Sequence, residues 1–466
     1  MKNFFRKHKV AVGIFVLALA VRAVFFAASY EINGGLLLDT IGGADYYQVI
    51  AQNIIDGHGY STDFAPPYAP NSVRPPVMPY FLAGSYMLLG SWGAVLALYL
   101  LLGSFVPILG MWLARKITSS PAIAVGVAVF LAVEPFGVLF STIFYSETIF
   151  MLLFFASLLY LFKYFESGRW FDLFVSASFL GFATLTKPVV QYLPVFIAVF
   201  LLYEARKRFG RTAFLRAGVY LLIFLAAISP WVYRNYLLFD TVGISSQSTV
   251  NLYSVLVPSV LAVENGTSWG EEFMALRARD AADPNSSSIA QAGYYTSRAL
   301  PILLSHPLSL TLVSANTALN FFIHDGVYDV LRHLDIHPDQ SMGGPALFVA
   351  LKNPAKALGL TAHFAASPFA LVLIGRVFWV ALTILSAYGA VRYLRRERKA
   401  AGAVAIIIVL YFMLTTLVVG LAVNARYRLP VNIFIVTFAA YGAVPFILRA
   451  RRGSAHGITD EIDNAQ

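Results

Sequence analysis

Long apolar segments recur along this chain and leave few ways for it to fold. Several are about 18–25 residues long, enough for a helix to cross a hydrocarbon core of roughly 30 Å. With 58% hydrophobic and only 12% charged residues, the chain has too few charges to cover a soluble domain. We therefore expect an all-α, polytopic membrane protein with about ten or more spans, at residues 10–30, 92–114, 120–138, 146–165, 171–187, 189–204, 215–231, 368–393, 402–422 and 429–448.

The positions of Lys and Arg give the expected orientation of these spans. With ten spans every basic cluster falls on the same face, which the positive-inside rule makes cytoplasmic. The basic clusters are Lys2/Arg6/Lys7/Lys9, Arg115/Lys116, Lys163/Arg169, Arg206/Lys207/Arg208/Arg211/Arg216, Arg392/Arg395/Arg396/Arg398/Lys399 and Arg449/Arg451/Arg452. Both termini then lie on that face of the cytoplasmic membrane, and we expect the first helix to remain as a span. These clusters account for the net charge of +10, so nucleic acid is not an expected partner. The absence of cysteine excludes disulfides and thiolate metal sites.

Two long segments then face outward, residues 31–91 and residues 232–367. We expect both to belong to a single transmembrane domain over residues 1–466, with residues 453–466 as a cytoplasmic tail. Gly, Ser, Asn and Asp in the second segment indicate loops and short helices. Residues 303–323 are apolar enough to enter the membrane, but a crossing there would misplace the next basic cluster. We therefore expect a helix in or near the outer interface.

The stretch DYYQVIAQNI in the first segment predicts a short amphipathic helix that lies on the membrane. Its apolar and aromatic residues recur at helical spacing, which places Asp45 near the helix N-terminus. Acidic residues cap helices well at that position, so Asp45 could be only a cap. A functional carboxylate is the alternative, and the spacing leaves both open.

Basic residues also occur at the outward level, where the topology rule otherwise keeps cations scarce: Arg74, Lys187, Arg234, Arg426 and Arg428. Arg74 precedes two prolines that hold its backbone extended. We expect at least some of the five to converge on one anion, and a lipid phosphate is the anion found at that depth. Unrelated side chains that reach toward the interface would give the same pattern.

Acids and histidines mark two further places. Glu147 opens the fourth span in FYSETIF, where it is either an interfacial residue or part of a site. The stretch FFIHDGVYDVLRHLDIH, residues 321–337, could supply metal ligands, but it lacks the His-Glu-x-x-His spacing of zinc hydrolases, which favours a solvated polar loop. A divalent cation could assist at Asp45, at Glu147 or at these histidines, and no cofactor is clearly required. The sequence contains no P-loop, dinucleotide fingerprint or nucleophile elbow.

An ordered set of motifs resembles the polytopic GT-C glycosyltransferases: ADYYQVIAQNI, GHGY, RPPVMPY, YSETIF, LTKP, PWVYRN and ARYRLP. The resemblance covers residues 8–450 and is strongest to glycosyltransferase family 39, the protein O-mannosyltransferase and lipid A aminoarabinose transferase group. Members of that family move a sugar from a polyprenyl phosphate to a hydroxyl of a protein, lipid or glycan on the outer side of the membrane, usually with inversion. The resemblance therefore implies a GT-C-type bundle with juxtamembrane helices in the first outward loop.

The resemblance also implies roles for individual residues. Asp45 matches the catalytic acid of the family and would act as general base. Arg74 matches a basic residue that contacts the donor phosphate, and further cations would support it at Lys187, Arg234 and Arg426. Glu147 and Tyr46 would support the substrate or a metal. Many members carry Asp-Glu at the catalytic position, whereas Tyr46 follows Asp45 here, and this difference leaves the acceptor class undefined.

The rival class is a transporter or flippase for a lipid-linked or small anionic substrate. Such proteins place polar residues near the bilayer midplane, in broken helices and often in inverted repeats. Here the polar residues concentrate in outward loops and no repeat is visible, which favours the transferase. A nucleotide-sugar donor is disfavoured because such donors are cytosolic. The expected partners are a polyprenyl-phosphate-linked sugar, a hydroxyl acceptor and membrane lipids.

Overall fold

The computed structural model describes residues 2–37, 45–279, 289–337, 353–397 and 399–463, and every regular element in these ranges is helical. The first helices are α1 (Lys2–Ile32), α2 (Tyr47–Ile55), α3 (Val77–Leu89), α4 (Trp92–Thr118), α5 (Pro121–Val133), α6 (Pro135–Leu139), α7 (Glu147–Ser167), α8 (Trp170–Thr184), α9 (Leu193–Phe209) and α10 (Thr212–Phe239). They are followed by α11 (Gln247–Asn251), α12 (Val257–Asn265), α13 (Trp269–Arg279), α14 (Ala292–Ser305), α15 (Pro307–Ile323), α16 (Val327–His333), α17 (Pro354–Ala365), α18 (Ala370–Arg396), α19 (Ala400–Thr416) and α20 (Asn432–Asp463). The predicted all-α class is therefore confirmed.

Seven helices within the described residues are long and apolar enough to cross a membrane, or eight if a bent pair counts as one span. The seven correspond to expected spans and cover His8–Ile32, Trp92–Thr118, Glu147–Ser167, Thr212–Phe239, Ala370–Arg396, Ala400–Ala422 and Leu429–Ile447. Because such segments bury their backbone polar groups within the helix, they suit a hydrocarbon environment. The chain is an integral membrane protein, as its hydropathy predicted.

The other three expected spans form shorter apolar helices, at Pro121–Val133, Trp170–Thr184 and Pro188–Glu204. The expected span 120–138 ends early because Glu134 precedes Pro135 and adopts an extended backbone. The Glu134 carboxylate then caps α6 by accepting from the Gly137 amide at 2.6 Å. A proline thus divides one expected helix into two.

Ion pairs show that α8, although short, runs beside the whole of α7. At one end of α7, Lys163 pairs with Asp172 near the start of α8, at 2.9 Å. At the other end, Glu147 pairs with Lys187 just after α8, at 2.7 Å. The two helices are therefore antiparallel and of similar reach. A membrane crossing by each of the ten expected spans stays a prediction.

The amphipathic helix expected after Asp45 forms as α2, and protein covers part of its apolar surface. Tyr47, Ile50 and Ala51 are buried, and the cluster around Tyr47 and Ala51 includes Met78 and Leu82 of α3. A hydrophobic period predicts an apolar face, but it does not say whether lipid or protein covers that face. The position of α2 at the membrane surface therefore stays a prediction, and α3 packs against one side of the helix.

The expected outward segment 232–367 forms short helices where it is described, as its turn residues predicted. α14 and α15 meet at a bend of 102°. The bend lies at His306, which precedes Pro307 and has a non-helical backbone. α15 covers most of residues 303–323 and packs against α12, α18 and α19. Its position at the outer interface stays a prediction. In the expected segments and tail, four ranges lie outside the described residues: 38–44, 280–288, 338–352 and 464–466.

Candidate active site

Asp45 lies immediately before α2, but its carboxylate does not cap that helix. Tyr46 occupies the N-cap position in a left-handed conformation, with φ of 56°, and no side chain there accepts from the first turn. The Asp45 carboxylate instead contacts two arginines. The cap hypothesis is therefore wrong, and the charged environment of Asp45 defines the candidate site.

Arg74 contacts Asp45 through two of its donors. Its Nη2 donates to Asp45 Oδ1 at 2.6 Å, and its Nε donates to the backbone oxygen of Asp45 at 2.9 Å. Its Nη1 donates to Gln247 Oε1 at 2.9 Å, at the start of α11. The guanidinium also lies 5.6 Å from the centre of the Tyr47 ring. A planar guanidinium can bind several acceptors at once, and Arg74 thereby joins residues 31–91 to residues 232–367.

Arg426 links the two carboxylates of the site. Its Nη2 donates to Asp45 Oδ2 at 2.7 Å, and its Nε donates to Glu147 Oε1. Arg426 lies in the second of three 3-10 segments between α19 and α20, Ala425–Tyr427. Asn424 caps this segment by accepting from the Arg426 amide at 3.0 Å. The cap fixes the backbone that presents Arg426 to both acids.

Glu147 and Lys187 complete the network at the start of α7. Glu147 is fully buried, and its Oε1 accepts from Lys187 Nζ at 2.7 Å as well as from Arg426. Lys187 lies in the turn that follows α8, where Pro188 begins a short 3-10 helix. An acid in the first turn of a helix is also favoured by the helix dipole. We call Asp45, Arg74, Glu147, Lys187 and Arg426 the ion network.

The ion network contains three cations and two carboxylates, so it carries one positive charge in excess. Burial raises the pKa of Asp45, but Arg426 and Arg74 outweigh this effect and hold that pKa below its ordinary value. Burial lowers the pKa of both arginines, and the neighbouring carboxylates outweigh it, so the pKa of each is raised. These three groups stay charged at neutral pH, and the excess positive charge favours an anionic ligand.

Two of the predicted cations, Arg234 and Arg428, lie outside the ion network. Arg234 donates to the backbone oxygen of Asn71 at 2.8 Å. Arg428 is fully buried, donates to backbone oxygens between residues 321 and 324, and lies 3.4 Å from the centre of the Trp379 ring. Of the five basic residues expected to converge, the ion network therefore includes three, namely Arg74, Lys187 and Arg426.

Two further residues lie near Asp45 and Arg74: Tyr46, which the sequence analysis predicted as a site residue, and Gln247, which it did not. The Tyr46 side chain is 40% exposed and its ring meets the edge of Phe64 at 6.2 Å between centres, so its expected support of a substrate or metal stays a prediction. Gln247 contacts Arg74 but was not expected, because an uncharged amide in a polar segment gives no electrostatic signal. Gln247 is the third residue of the polar run SSQS, residues 245–248, and nothing in this run indicates a contact with a charged residue.

The histidine stretch makes separate structural contacts. His333 bonds the Ser29 hydroxyl at 3.0 Å, and Asp325 pairs with Arg376 at 2.7 Å. Within the described ranges of the chain, no group of three His, Asp or Glu side chains is placed to hold a metal ion. The metal interpretation of residues 324–337 is therefore not supported, and assistance by a divalent cation elsewhere stays an untested expectation.

Part of the chain matches a known protein family. A family model described as dolichyl-phosphate-mannose-protein mannosyltransferase matches residues 73–233, a range that includes Arg74, Glu147 and Lys187. A search of curated proteins finds no match. Among solved structures, the crystal structure of ArnT from Cupriavidus metallidurans bound to undecaprenyl phosphate is similar at 15% identity and a TM-score of 0.40, covering 92% of this chain and 77% of that chain. Over residues 73–233, the family model confirms the resemblance to the protein O-mannosyltransferase group of GT-C glycosyltransferases that the motifs predicted.

Proposed function

We propose that this protein is a membrane glycosyltransferase that moves a sugar from a polyprenyl-phosphate donor to a hydroxyl acceptor, with inversion at the anomeric carbon. The family match over residues 73–233 supports the transferase class and a lipid-phosphate donor. The observation that carries the proposal is the ion network, in which cations surround the Asp45 carboxylate with one positive charge in excess. A base beside a site for an anionic leaving group is what such a transfer needs.

In the proposed reaction Asp45 is the general base. Its carboxylate takes the proton of the acceptor hydroxyl while that oxygen attacks the anomeric carbon, from the side opposite the phosphate. The bond between the anomeric carbon and the phosphate oxygen breaks, and its electron pair leaves with the polyprenyl phosphate. The products are the glycosylated acceptor, the polyprenyl phosphate and a protonated Asp45, which returns its proton to solvent.

We propose that Arg74 and Arg426 stabilise the negative charge that develops on the leaving phosphate. The donor is a phosphodiester with one negative charge, and the phosphate gains a second as the bond breaks. Cations beside it therefore stabilise the transition state more than the bound donor. Lys187 adds a third cation, and Glu147 holds Lys187 and Arg426 in place through its Oε1.

Donor binding would loosen the contacts that hold Asp45. Each Asp45 oxygen accepts from an arginine, at 2.6 Å and 2.7 Å, and the lowered pKa makes Asp45 a weak base in this state. A phosphate that draws Arg74 and Arg426 toward itself would remove these contacts and let the pKa of Asp45 rise. Asp45 would then gain basicity only when a donor is present.

We propose that the site faces the periplasm or exterior, with both termini cytoplasmic, because the basic clusters indicate that orientation. Glu147 is the first residue of α7, whereas Lys187 and Arg426 lie in turns. Charged groups at helix ends suit a reaction at the membrane surface, whereas a transporter or flippase needs them near the midplane. The acceptor would be a hydroxyl of a lipid, glycan or protein.

The test is transfer of radiolabelled sugar from a panel of polyprenyl-phosphate sugars to an extract of host lipids and envelope proteins. Asp45→Asn keeps the shape of the side chain and removes the base, so transfer should fall about 10²- to 10⁴-fold. Asp56→Asn changes an exposed acid at the end of α2 and should transfer like the wild type. Equal transfer by wild type and Asp45→Asn would remove the base assignment. A folded wild type that consumes no donor would remove the transferase proposal.

A further inference from the structure

The loop that carries Arg74 begins with a turn made by one side chain. The side-chain oxygen of Asn71 accepts from the amides of Val73 and Arg74, both at 3.0 Å. Asn side chains commonly shape loops in this way, by bonding the backbone two residues further on. The direction in which Arg74 leaves the backbone therefore depends on the position of Asn71.

The backbone oxygens of this loop, residues 71–75, are all bonded. Arg234 Nη1 donates to the oxygen of residue 71 at 2.8 Å, and the Ser246 amide donates to that of residue 72 at 3.2 Å. The Ser245 hydroxyl donates to that of residue 73 at 2.5 Å. The Tyr60 hydroxyl shares its one hydrogen between the oxygens of residues 74 and 75, at 3.0 Å and 2.9 Å. A loop bonded at five successive carbonyls has little freedom to move.

Arg234 is itself held by aromatic rings. Its guanidinium lies 4.6 Å from the centre of the Trp231 ring and 5.4 Å from those of Tyr60 and Phe239. Trp231 in turn donates to the backbone oxygen of Ile244 at 2.9 Å, next to the serines that bond the loop. The rings surround the cation on several sides, so a guanidinium placed here is better suited to fix a backbone than to receive a phosphate.

We infer that Arg234 is a positioning residue that acts through Asn71 and holds Arg74 in reach of the donor phosphate. This inference rests on the proposed function, because it assumes that Arg74 binds that phosphate. It replaces the expectation that Arg234 contacts the phosphate directly. The chain of contacts runs from Arg234 to the Asn71 backbone, and from the Asn71 side chain to the Arg74 amide.

Binding of undecaprenyl phosphate to the full-length protein in lipid nanodiscs tests the inference, with variants Arg234→Met, Arg74→Gln and the double variant. Arg234→Met should weaken binding about tenfold in the wild-type background, as is typical of coupled residues in one network. It should cause almost no further loss in the Arg74→Gln background, because no Arg74 remains to be positioned. Arg298→Met, an exposed arginine stacked on Tyr294, is the control and should bind like the wild type.

A second pair of variants covers the case in which Arg234→Met does not fold. Asn71→Ala removes the side-chain acceptor and should weaken binding about tenfold, whereas Asn71→Ser keeps an acceptor and should restore most of it. Equal losses from Arg234→Met in both backgrounds, or equal binding by the two Asn71 variants, would overturn the positioning role while leaving the proposed function intact. Unchanged binding by Arg74→Gln would overturn both the positioning role of Arg234 and the assignment of Arg74 to the donor phosphate, whereas failure of the transferase proposal would appear in the transfer assay.

Discussion

Each charged side chain that bridges the ion network contacts two partners. Asp45 accepts from two arginines, Arg426 donates to two carboxylates, and Glu147 accepts from Lys187 and Arg426. Deleting one member therefore leaves a buried charge without compensation, which costs more than the pair contributes. Substitutions that keep the shape of a side chain and alter one property are consequently the most informative at this scale.

The ionisation of Asp45 predicts how stability depends on pH. The pKa of Asp45 lies below its ordinary value in the folded protein, so its ion pairs stabilise the fold at neutral pH and are lost as pH falls through that lowered pKa. The difference in thermal unfolding temperature between wild type and Asp45→Asn should stay constant from about pH 7 to pH 5 and shrink below about pH 4. Fluorimetric melting in detergent would measure it. A difference that is already lost near pH 6 would contradict the ionised state.

A substitution at Arg426 separates the effect of its positive charge from the effect of its two hydrogen-bonding nitrogens. Arg426→Lys keeps the positive charge but replaces the two nitrogens, Nε and Nη2, that contact Glu147 and Asp45 with a single nitrogen. The loss of one charge-assisted hydrogen bond, about 1.5–3 kcal/mol, should reduce transfer about 10- to 100-fold. Labelled-sugar transfer would measure it, with Arg298→Lys as an exposed control. Wild-type transfer by Arg426→Lys would show that a point charge is sufficient.

The sequence indicated which residues carry chemistry, but not where their side chains point. The topology rule predicted Arg74, Lys187 and Arg426 at one level, and they meet around two acids. Arg234 and Arg428 satisfy the same rule and yet bond backbone oxygens, because position along the chain sets the depth of a residue but not its direction. Such directions depend on tertiary packing.

At the scale of elements, glycines set the spacing between α18 and α20. A Cβ at Gly389 would overlap the backbone oxygen of Phe438, and one at Gly442 would lie 2.6 Å from the backbone oxygen of Leu385. Backbone atoms cannot turn away as flexible side chains can. The two helices therefore approach this closely because both positions are glycine.

Gly389→Ala should destabilise the bundle, because the added methyl group pushes α18 and α20 apart. Overpacking of this kind costs about 1–3 kcal/mol and should lower the thermal unfolding temperature by several degrees. Gly218→Ala in α10 is the matched control, since a Cβ there meets no atom within 4 Å and alanine favours a helix. Equal melting by the two variants would contradict the close packing of these helices.

The lengths of the apolar segments predicted which helices exist. The points at which a helix is interrupted were harder to predict. The expected span 120–138 divides because Pro135 forces Glu134 out of the helix, although residues 122–133 are uniformly apolar. The face of α2 was predicted, but its partner α3 was not, because hydrophobic spacing does not distinguish protein from lipid.

At the scale of the whole molecule, two residues of the basic clusters, Lys163 and Arg216, lie at the ends of α7 and α10 that are opposite to the candidate site. α7 begins at Glu147 in the network and approaches its end beside the Lys163–Asp172 pair. α10 begins near Arg216, which donates to the backbone oxygen of Gly168 at 2.9 Å, and its other end contacts Asn71 through Arg234. This separation agrees with the orientation derived from the positive-inside rule.

Single cysteines would test the orientation, because the chain contains no cysteine of its own. Asp56 is exposed at the end of α2, and Arg211 is exposed between α9 and α10. A membrane-impermeant maleimide should label Asp56→Cys in intact cells, and it should label Arg211→Cys only after the membrane is permeabilised. Labelling of both in intact cells, or the reverse order, would contradict the proposed orientation.

Lipid constrains a chain so strongly that fold class and the order of elements follow from apolar length and basic residues. The packing of residues 232–367 did not follow, because its short helices carry no repeated pattern and depend on contacts with distant segments. The bend of 102° between α14 and α15 is one such feature, because the sequence predicted a single helix over residues 303–323. The Gln247 contact to Arg74 is another.

The central claim is that Asp45 is a base that shares its arginines with the donor phosphate. Binding of undecaprenyl phosphate to wild type and Asp45→Asn in nanodiscs, with transfer measured on the same samples, tests it most directly. Loss of the carboxylate charge should release Arg74 and Arg426, so Asp45→Asn should bind the lipid phosphate about tenfold more tightly and yet transfer sugar about 10²- to 10⁴-fold more slowly. Weaker binding by Asp45→Asn would instead show that Asp45 serves to hold the arginines, and would contradict the account.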